Sequence, residues 1–432
     1  MTTTEENNKN TEKKARPGLK LLLIAGMCVA FLIPQALLQN LVTERSHTES
    51  RAENEVFAKW GGNQTLIGPY IEVIYNVEGK TERFYKLILP DELDVNGDVK
   101  TRQLKRGIYD FTVYETDVEL KGRFKLPKDF DKNMEGMTWH FEKAKVYAQL
   151  TNLRGLRDNV VIEMNEIRYD MESSTDAGLV CQVDLSSLLE GNTIAFSMSI
   201  PFKGSGQLMF TPIGQVTTVH LSSDCVTPSF DGCYLPEERT VDDKGFEASW
   251  KVLAINRNFS QLISISAANL SNKINDSAFG VILKVPVEQY LQTDRAIKYA
   301  FLIILLTFAA VFFIEMRKAK PIHPVQYLLI GLALVVFYTL LLSFSEHMNF
   351  GLSYLIASVM TIGMIVVFMA SVVKDKKTAL GIGLLLSVLY AFVYVLLQLE
   401  TYALLVGSVG IFIVLGIAMF ATQKIDWYKK KD

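Results

Sequence analysis

The chain contains no Gly-x-x-x-x-Gly-Lys-Ser/Thr loop, no Gly-x-Gly-x-x-Gly turn, no His-Glu-x-x-His helix and no Gly-x-Ser-x-Gly elbow. Nucleotide hydrolysis, dinucleotide binding and the commonest hydrolase layouts therefore lack their local signatures. Cysteine is scarce, at four residues (Cys28, Cys181, Cys225 and Cys233), and no paired Cys-x-x-Cys spacing points to zinc. Five histidines, His47, His140, His220, His323 and His347, are the room left for a site assembled from distant positions. Basic charge is short where a nucleic-acid binder would need it: residues 43–295 hold 28 Lys and Arg against 37 Asp and Glu. Without a basic stripe to neutralise phosphates, nucleic acid is not an expected partner.

Apolar residues make up 49% of the 432-residue chain and are concentrated in residues 19–42 and 296–422. A helix crosses the hydrocarbon with about 20 mainly apolar residues, because each residue rises about 1.5 Å and lipid tolerates no bare peptide group. Six segments meet that description: Leu19–Val42, Ala296–Phe313, Val325–Ser343, Leu352–Val373, Thr378–Gln398 and Tyr402–Thr422. Their charges are confined to edges, as at Lys20. Lys and Arg resist translocation and gather in the N-terminal tail, around Arg317 to Lys320, around Lys374 to Lys377 and in the C-terminal tail. The loops around Glu346 and Glu400 have none. Both termini are thus expected in the cytoplasm, with residues 43–295 on the far side. The first segment reads as an uncleaved anchor, since its apolar run exceeds a signal core and no Ala-x-Ala-like site follows it.

The expected organisation is a cytoplasmic tail (1–18), an anchor (19–42), an extracytoplasmic β-rich domain (43–295, with 43–59 as a helical stalk), a five-helix bundle (296–422) and a second tail (423–432). After Trp60, Gly61 and Gly62 the period changes to two. Ala144, Val146, Ala148 and Leu150 alternate with polar residues, as do Phe246, Ala248, Trp250 and Val252. Shorter runs occur at Ile71–Val77, Phe111–Val113, Val118–Phe124, Leu208–Phe210, Val219–Leu221 and Gly280–Val285. Short strands without crossover helices predict antiparallel sheets packed as a sandwich, or two such units in series. The fold class is therefore a membrane protein with an α-helical transmembrane region and a large all-β, sandwich-like domain.

Glu346 and His347 stand side by side after the third span, where carboxylate and imidazole could bind a metal or relay a proton. A solvated turn at the membrane interface explains them more simply, and Gly351 suits a turn. His323 precedes Pro324 at a helix start, where the missing N–H is harmless. Glu400 marks a helix end. Cys225 and Cys233 bracket a Pro228 and Gly232 turn, which fits either a disulfide or two unpaired thiols. Transporters spend ionisable residues at the midplane, whereas these midplanes read as apolar, and Gly331, Gly363, Gly381, Gly383, Gly407, Gly410 and Gly416 read as packing points.

Longer runs carry a resemblance. Arg295-Ala-Ile-Lys298-Tyr-Ala-Phe, His323-Pro-Val-Gln326-Tyr-Leu-Leu-Ile-Gly331, Leu342-Ser-Phe-Ser-Glu346-His347, Ser353-Tyr-Leu-Ile-Ala-Ser358 and Lys424-Ile-Asp426-Trp427-Tyr428 resemble the CreD family of bacterial inner-membrane proteins. So do Arg106-Gly-Ile-Tyr109, Leu153-Arg-Gly-Leu-Arg157, Phe210-Thr-Pro212-Ile-Gly214 and Thr227-Pro-Ser-Phe230-Asp-Gly232. The similarity runs in order from Trp60 onward. It departs where the family carries an aromatic (here Cys225), an acid (here Thr401) and an arginine (here Gln423), so no family role is carried to those positions. The resemblance implies a role in envelope integrity and in responses to agents acting on the envelope, linked to two-component regulation, and it implies no known reaction. The expectation is thus a non-enzymatic protein without cofactor or bound metal, whose partners are the lipid bilayer and a periplasmic or cell-wall protein. A transporter subunit and an envelope-modifying enzyme are the alternatives. Residues carried forward as functional candidates are Glu346, His347, Glu400, His323 and Gln326.

Overall fold

The computed structural model describes residues 17–125, 137–174, 178–188, 193–264, 274, 276–283, 288–318, 321–399 and 402–423. Two compact units emerge, a helical one (Met1–Thr48 with Val287–Asp432) and a β one (Glu49–Pro286).

In the helical unit, α1 (Pro17–Ala30) and α2 (Leu32–Trp60) are separated by a turn at Phe31. Pro34 lacks the N–H that would continue the ladder there. The β unit holds the one-turn α3 (Leu185–Leu188), and the helical unit continues with α4 (Glu288–Lys298), α5 (Ala300–Lys318), α6 (Pro324–Ser345), α7 (Phe350–Val373), α8 (Lys376–Gln398) and α9 (Ala403–Gln423). Local chemistry fixes the boundaries. Asn349 caps α7 by accepting from Leu352 N at 2.9 Å, and Asp375 caps α8 by accepting from Lys377 N at 3.1 Å. Lys374, between them, takes φ +51° to end α7.

Among the described residues five helices, rather than six, are long and apolar enough to cross a membrane. The sixth expected span is helical as α9, but its described apolar run, Ala403–Ile417, is shorter. The second span also begins later than expected: Arg295 and Lys298 belong to α4, and Ala300 opens the apolar helix. Many large apolar side chains point outward, among them Leu355, Val359, Val367, Leu384 and Phe412. Such a surface would aggregate in water and is what lipid requires. The interior is less apolar than expected, because Tyr327, Tyr338, Tyr354, Tyr390, Ser353, Ser358 and Thr361 are buried within it. Gly331, Gly383 and Gly410 do meet neighbouring side chains closely, while Gly363, Gly381 and Gly416 face open space.

The β unit consists of two sheets. One runs Ser229–Gly232, Phe279–Ile282, Gln207–Thr211, Gln64–Val77, Met137–Leu150, Gly178–Val183 and Glu172–Ser174, with Arg83–Ile88 and then Leu262–Ser264 branching from Gln64–Val77. The other runs Glu238–Asp242, Gly245–Leu253, Val216–Ser223, Glu92–Arg106, Tyr109–Lys125, Thr193–Ser205, Val161–Met164 and Ile167–Asp170. Their inner faces share one core, in which Trp250 of the second sheet lies 5.8 Å from Phe279 of the first. Each such large side chain withdrawn from water contributes on the order of 1.5–3 kcal/mol. Tyr114, fully buried, reaches across to donate to Gln207 O at 2.9 Å. The chain changes sheet between Thr193–Ser205 and Gln207–Thr211 at Gly206, whose φ of +72° a side chain would strain.

Not every pairing is antiparallel, as had been expected. Gln64–Val77 pairs parallel with Gln207–Thr211, and Glu92–Arg106 pairs parallel with Val216–Ser223. Early and late segments thus interleave in both sheets, which excludes two units in series.

Candidate functional site

Glu346 follows the last turn of α6 with its side chain largely buried. Tyr290 Oη, on α4, donates to Glu346 Oε1 at 3.2 Å, and Arg45 Nε, on α2, lies 3.9 Å from the same oxygen. The carboxylate therefore joins three helices. His347 is exposed, and its backbone N–H donates to Phe344 O at 3.0 Å. The two neighbours are not brought together as a metal or proton-relay pair; helical geometry turns adjacent side chains about 100° apart.

At the other end of α6, Gln326 Oε1 accepts from His323 N at 2.9 Å and His323 Nδ1 accepts from Val325 N at 3.3 Å. This reciprocal cap satisfies N–H groups that the helix leaves unpaired, so both candidates have a structural task. A second charged junction lies nearby. Lys20 of α1 pairs with Glu315 of α5 and donates to Ile322 O at 2.6 Å, while Tyr327 Oη donates to Glu315 Oε2 at 2.9 Å. Lys318 and Asp375 add a pair at 2.6 Å. Hydrogen bonds from the Lys318 ammonium and then from Thr378 hold the Asp375 carboxyl well below the usual carboxylate range. Glu400 lies outside the described residues.

Cys225 is buried and Cys233 exposed, and both are free thiols, so the unpaired alternative is the one observed. Cys233 Sγ donates to Asp276 O at 2.8 Å. No group of three His, Cys, Asp or Glu side chains able to hold a metal occurs among the described residues.

The β unit carries a feature that sequence reasoning missed. On the outer face of the second sheet, a groove of about 600 Å³ is lined by Asp98, Asp117, Glu119, Glu238 and Glu247 together with His220 and Arg239. Those residues come from five neighbouring strands, and Asp98 sits directly opposite Asp117 in the ladder. Like charges facing each other across strands are unfavourable unless compensated. Here Lys100 pairs with Asp98 at 3.0 Å and Arg157 with Asp117 at 3.2 Å. What remains is a rigid, acid-rich concave surface suited to hydrogen bonding and to positive charge.

The family model for the inner membrane protein CreD matches residues 16–428 of the chain. The Inner membrane protein CreD of Escherichia coli (strain K12) is 33% identical over 423 residues, covering 95% of this chain and 93% of that protein.

Proposed function

This chain belongs to the family of the inner membrane protein CreD, and we propose from that membership that it supports the integrity of the bacterial envelope without catalysing a reaction. Its helical unit anchors it with both termini in the cytoplasm, and its β unit faces the periplasm, where it binds a periplasmic or cell-wall partner. The observation that carries this reading is the placement of charge. Glu315, Glu346 and Asp375 are each tied to Lys20, Arg45 and Lys318 at helix ends, so these carboxylates brace helices instead of coordinating a coupling ion. The acidic groove then supplies the recognition surface, and a partner bearing positive charge suits it.

To test this, a photo-crosslinking residue is placed at Ser249 in the groove of the full-length chain in cells, with Gln149 on the other sheet as control. A discrete envelope-protein adduct at Ser249, lost in Asp117→Lys and absent at Gln149, is the expected result. Equal labelling at both positions, insensitive to Asp117→Lys, refutes the partner surface. A second reading, a transporter subunit, draws on the hydroxyl groups buried inside the bundle. Substrate flux in proteoliposomes distinguishes it.

A further inference from the structure

We propose that the helical unit holds bound water in its interior, between Tyr338 of α6 and Tyr390 of α8. Both side chains are almost fully enclosed, at 1% and 2% exposure. Among the described residues, neither hydroxyl has a hydrogen-bond partner. Phe337 bridges the helices, with its ring 4.5 Å from that of Tyr390 and 4.8 Å from that of Tyr338. Tyr354 of α7 closes the group: its ring lies 5.4 Å from Phe337, and its own hydroxyl donates to Tyr390 O at 2.9 Å. The only polar groups of this aromatic cluster left wanting partners are therefore the two phenols.

A phenol removed from water and given nothing in exchange opposes folding, and lipid around the bundle supplies no donor or acceptor. Phenylalanine would fill nearly the same space without that penalty, as Phe337 does beside them. Two such groups on helices joined through one bridging ring call for a small neutral molecule able to donate and to accept. Water is the smallest that qualifies, and buried waters typically serve two to four otherwise unsatisfied groups. Ser358 and Thr361 are buried on the same face of α7 as Tyr354, so the interior of the bundle is not purely apolar. A charged ligand is not expected, because the helices that supply these residues carry no Lys, Arg, Asp or Glu beyond Lys376 and Lys377, in the first turn of α8 and more than three turns from Tyr390. The inference does not depend on what the β unit binds.

The test replaces each phenol singly, Tyr338→Phe and Tyr390→Phe, in the full chain in lipid nanodiscs, and follows thermal unfolding. If water bridges the phenols, each substitution strands it and the midpoint falls by several degrees. A midpoint that rises in both variants shows that the hydroxyls were simply unsatisfied and overturns the proposal. Should a variant fail to fold, radiolytic hydroxyl-radical labelling of the parent decides. Labelling of Tyr338 and Tyr390 well above the equally buried Phe308 requires water at the site, and labelling no greater than that of Phe308 excludes it.

Discussion

Individual residues carry some of the sharpest expectations. Arg257 is 7% exposed, and its Nη2 donates to Ile213 O at 3.1 Å and Gly214 O at 3.3 Å. Burial pulls the guanidinium down to about 10, still charged at neutral pH, and Phe259 stacks against it with the ring centre at 4.2 Å. Gln261, bonded to the same guanidinium, also donates to Pro90 O. Arg257 and Gln261 together thus clip two of the places where the chain crosses from the first sheet to the second. Arg257→Met should cost roughly 3 kcal/mol of unfolding free energy, since charge-assisted bonds to buried carbonyls are lost together. Arg257→Lys should recover little, because an ammonium cannot reproduce the planar fork; denaturant titration followed by tryptophan fluorescence checks both. Glu72 behaves oppositely. Desolvation raises its pKa, against the hydrogen bond from Tyr147 and the charge of Lys145. An acid raised in the folded state is penalised only when charged, so its penalty grows as pH climbs from the ordinary carboxylate value through the raised one. Glu72→Gln should therefore stabilise the protein at pH 7 and change little at pH 4, read as the shift in unfolding midpoint at each pH.

At the scale of elements, the first span is held by more than lipid. Phe31 packs on Gly331 of α6, where an added Cβ would come 2.3 Å from the ring, and its own ring lies 6.0 Å from that of Phe308. Gln35 Nε2 donates to Ile297 O at 3.0 Å, and the Lys20 and Arg45 pairs tie its two ends. Gly331→Leu should lower the midpoint of thermal unfolding, and Phe31→Ala in the same chain should recover part of the loss. Simple additivity of the two would contradict the contact. Sequence reading located this helix and its four long apolar successors because apolar length is set by bilayer thickness. It located Ala144–Leu150 and Phe246–Val252 because alternation is local. Thr193–Ser205 went unread: Ile194, Phe196, Met198, Ile200 and Phe202 alternate there, but serines and Pro201 obscure the run. Glu92–Arg106 was hidden by its charged and polar outward positions. The parallel pairings and the groove depend on contacts between residues more than a hundred positions apart, which no window along the chain reports. Glu346 was found as a candidate because it stands beside His347 after the third span, but its partners, Arg45 and Tyr290, lay far away in sequence.

For the whole molecule, the expected orientation rests on where Lys and Arg collect. Alkaline phosphatase fused after Tyr109 should be active, and fused after Lys318 inactive; the reverse pattern would place the β unit in the cytoplasm. The sheet order has a consequence for how the β unit is spliced into the chain. Gln64 stands beside Leu208, and Leu208 beside Val281, so the incoming and outgoing strands share one row with a single strand between them. Neighbouring strands lie about 4.8 Å apart, which brings Gln64 of the incoming strand and Val281 of the outgoing one to within roughly 10 Å. A gap that small is spanned by a handful of residues. The β unit is a detachable cassette in topology, and a chain in which residues 62–286 give way to a short glycine-serine bridge should still insert and assemble its helices.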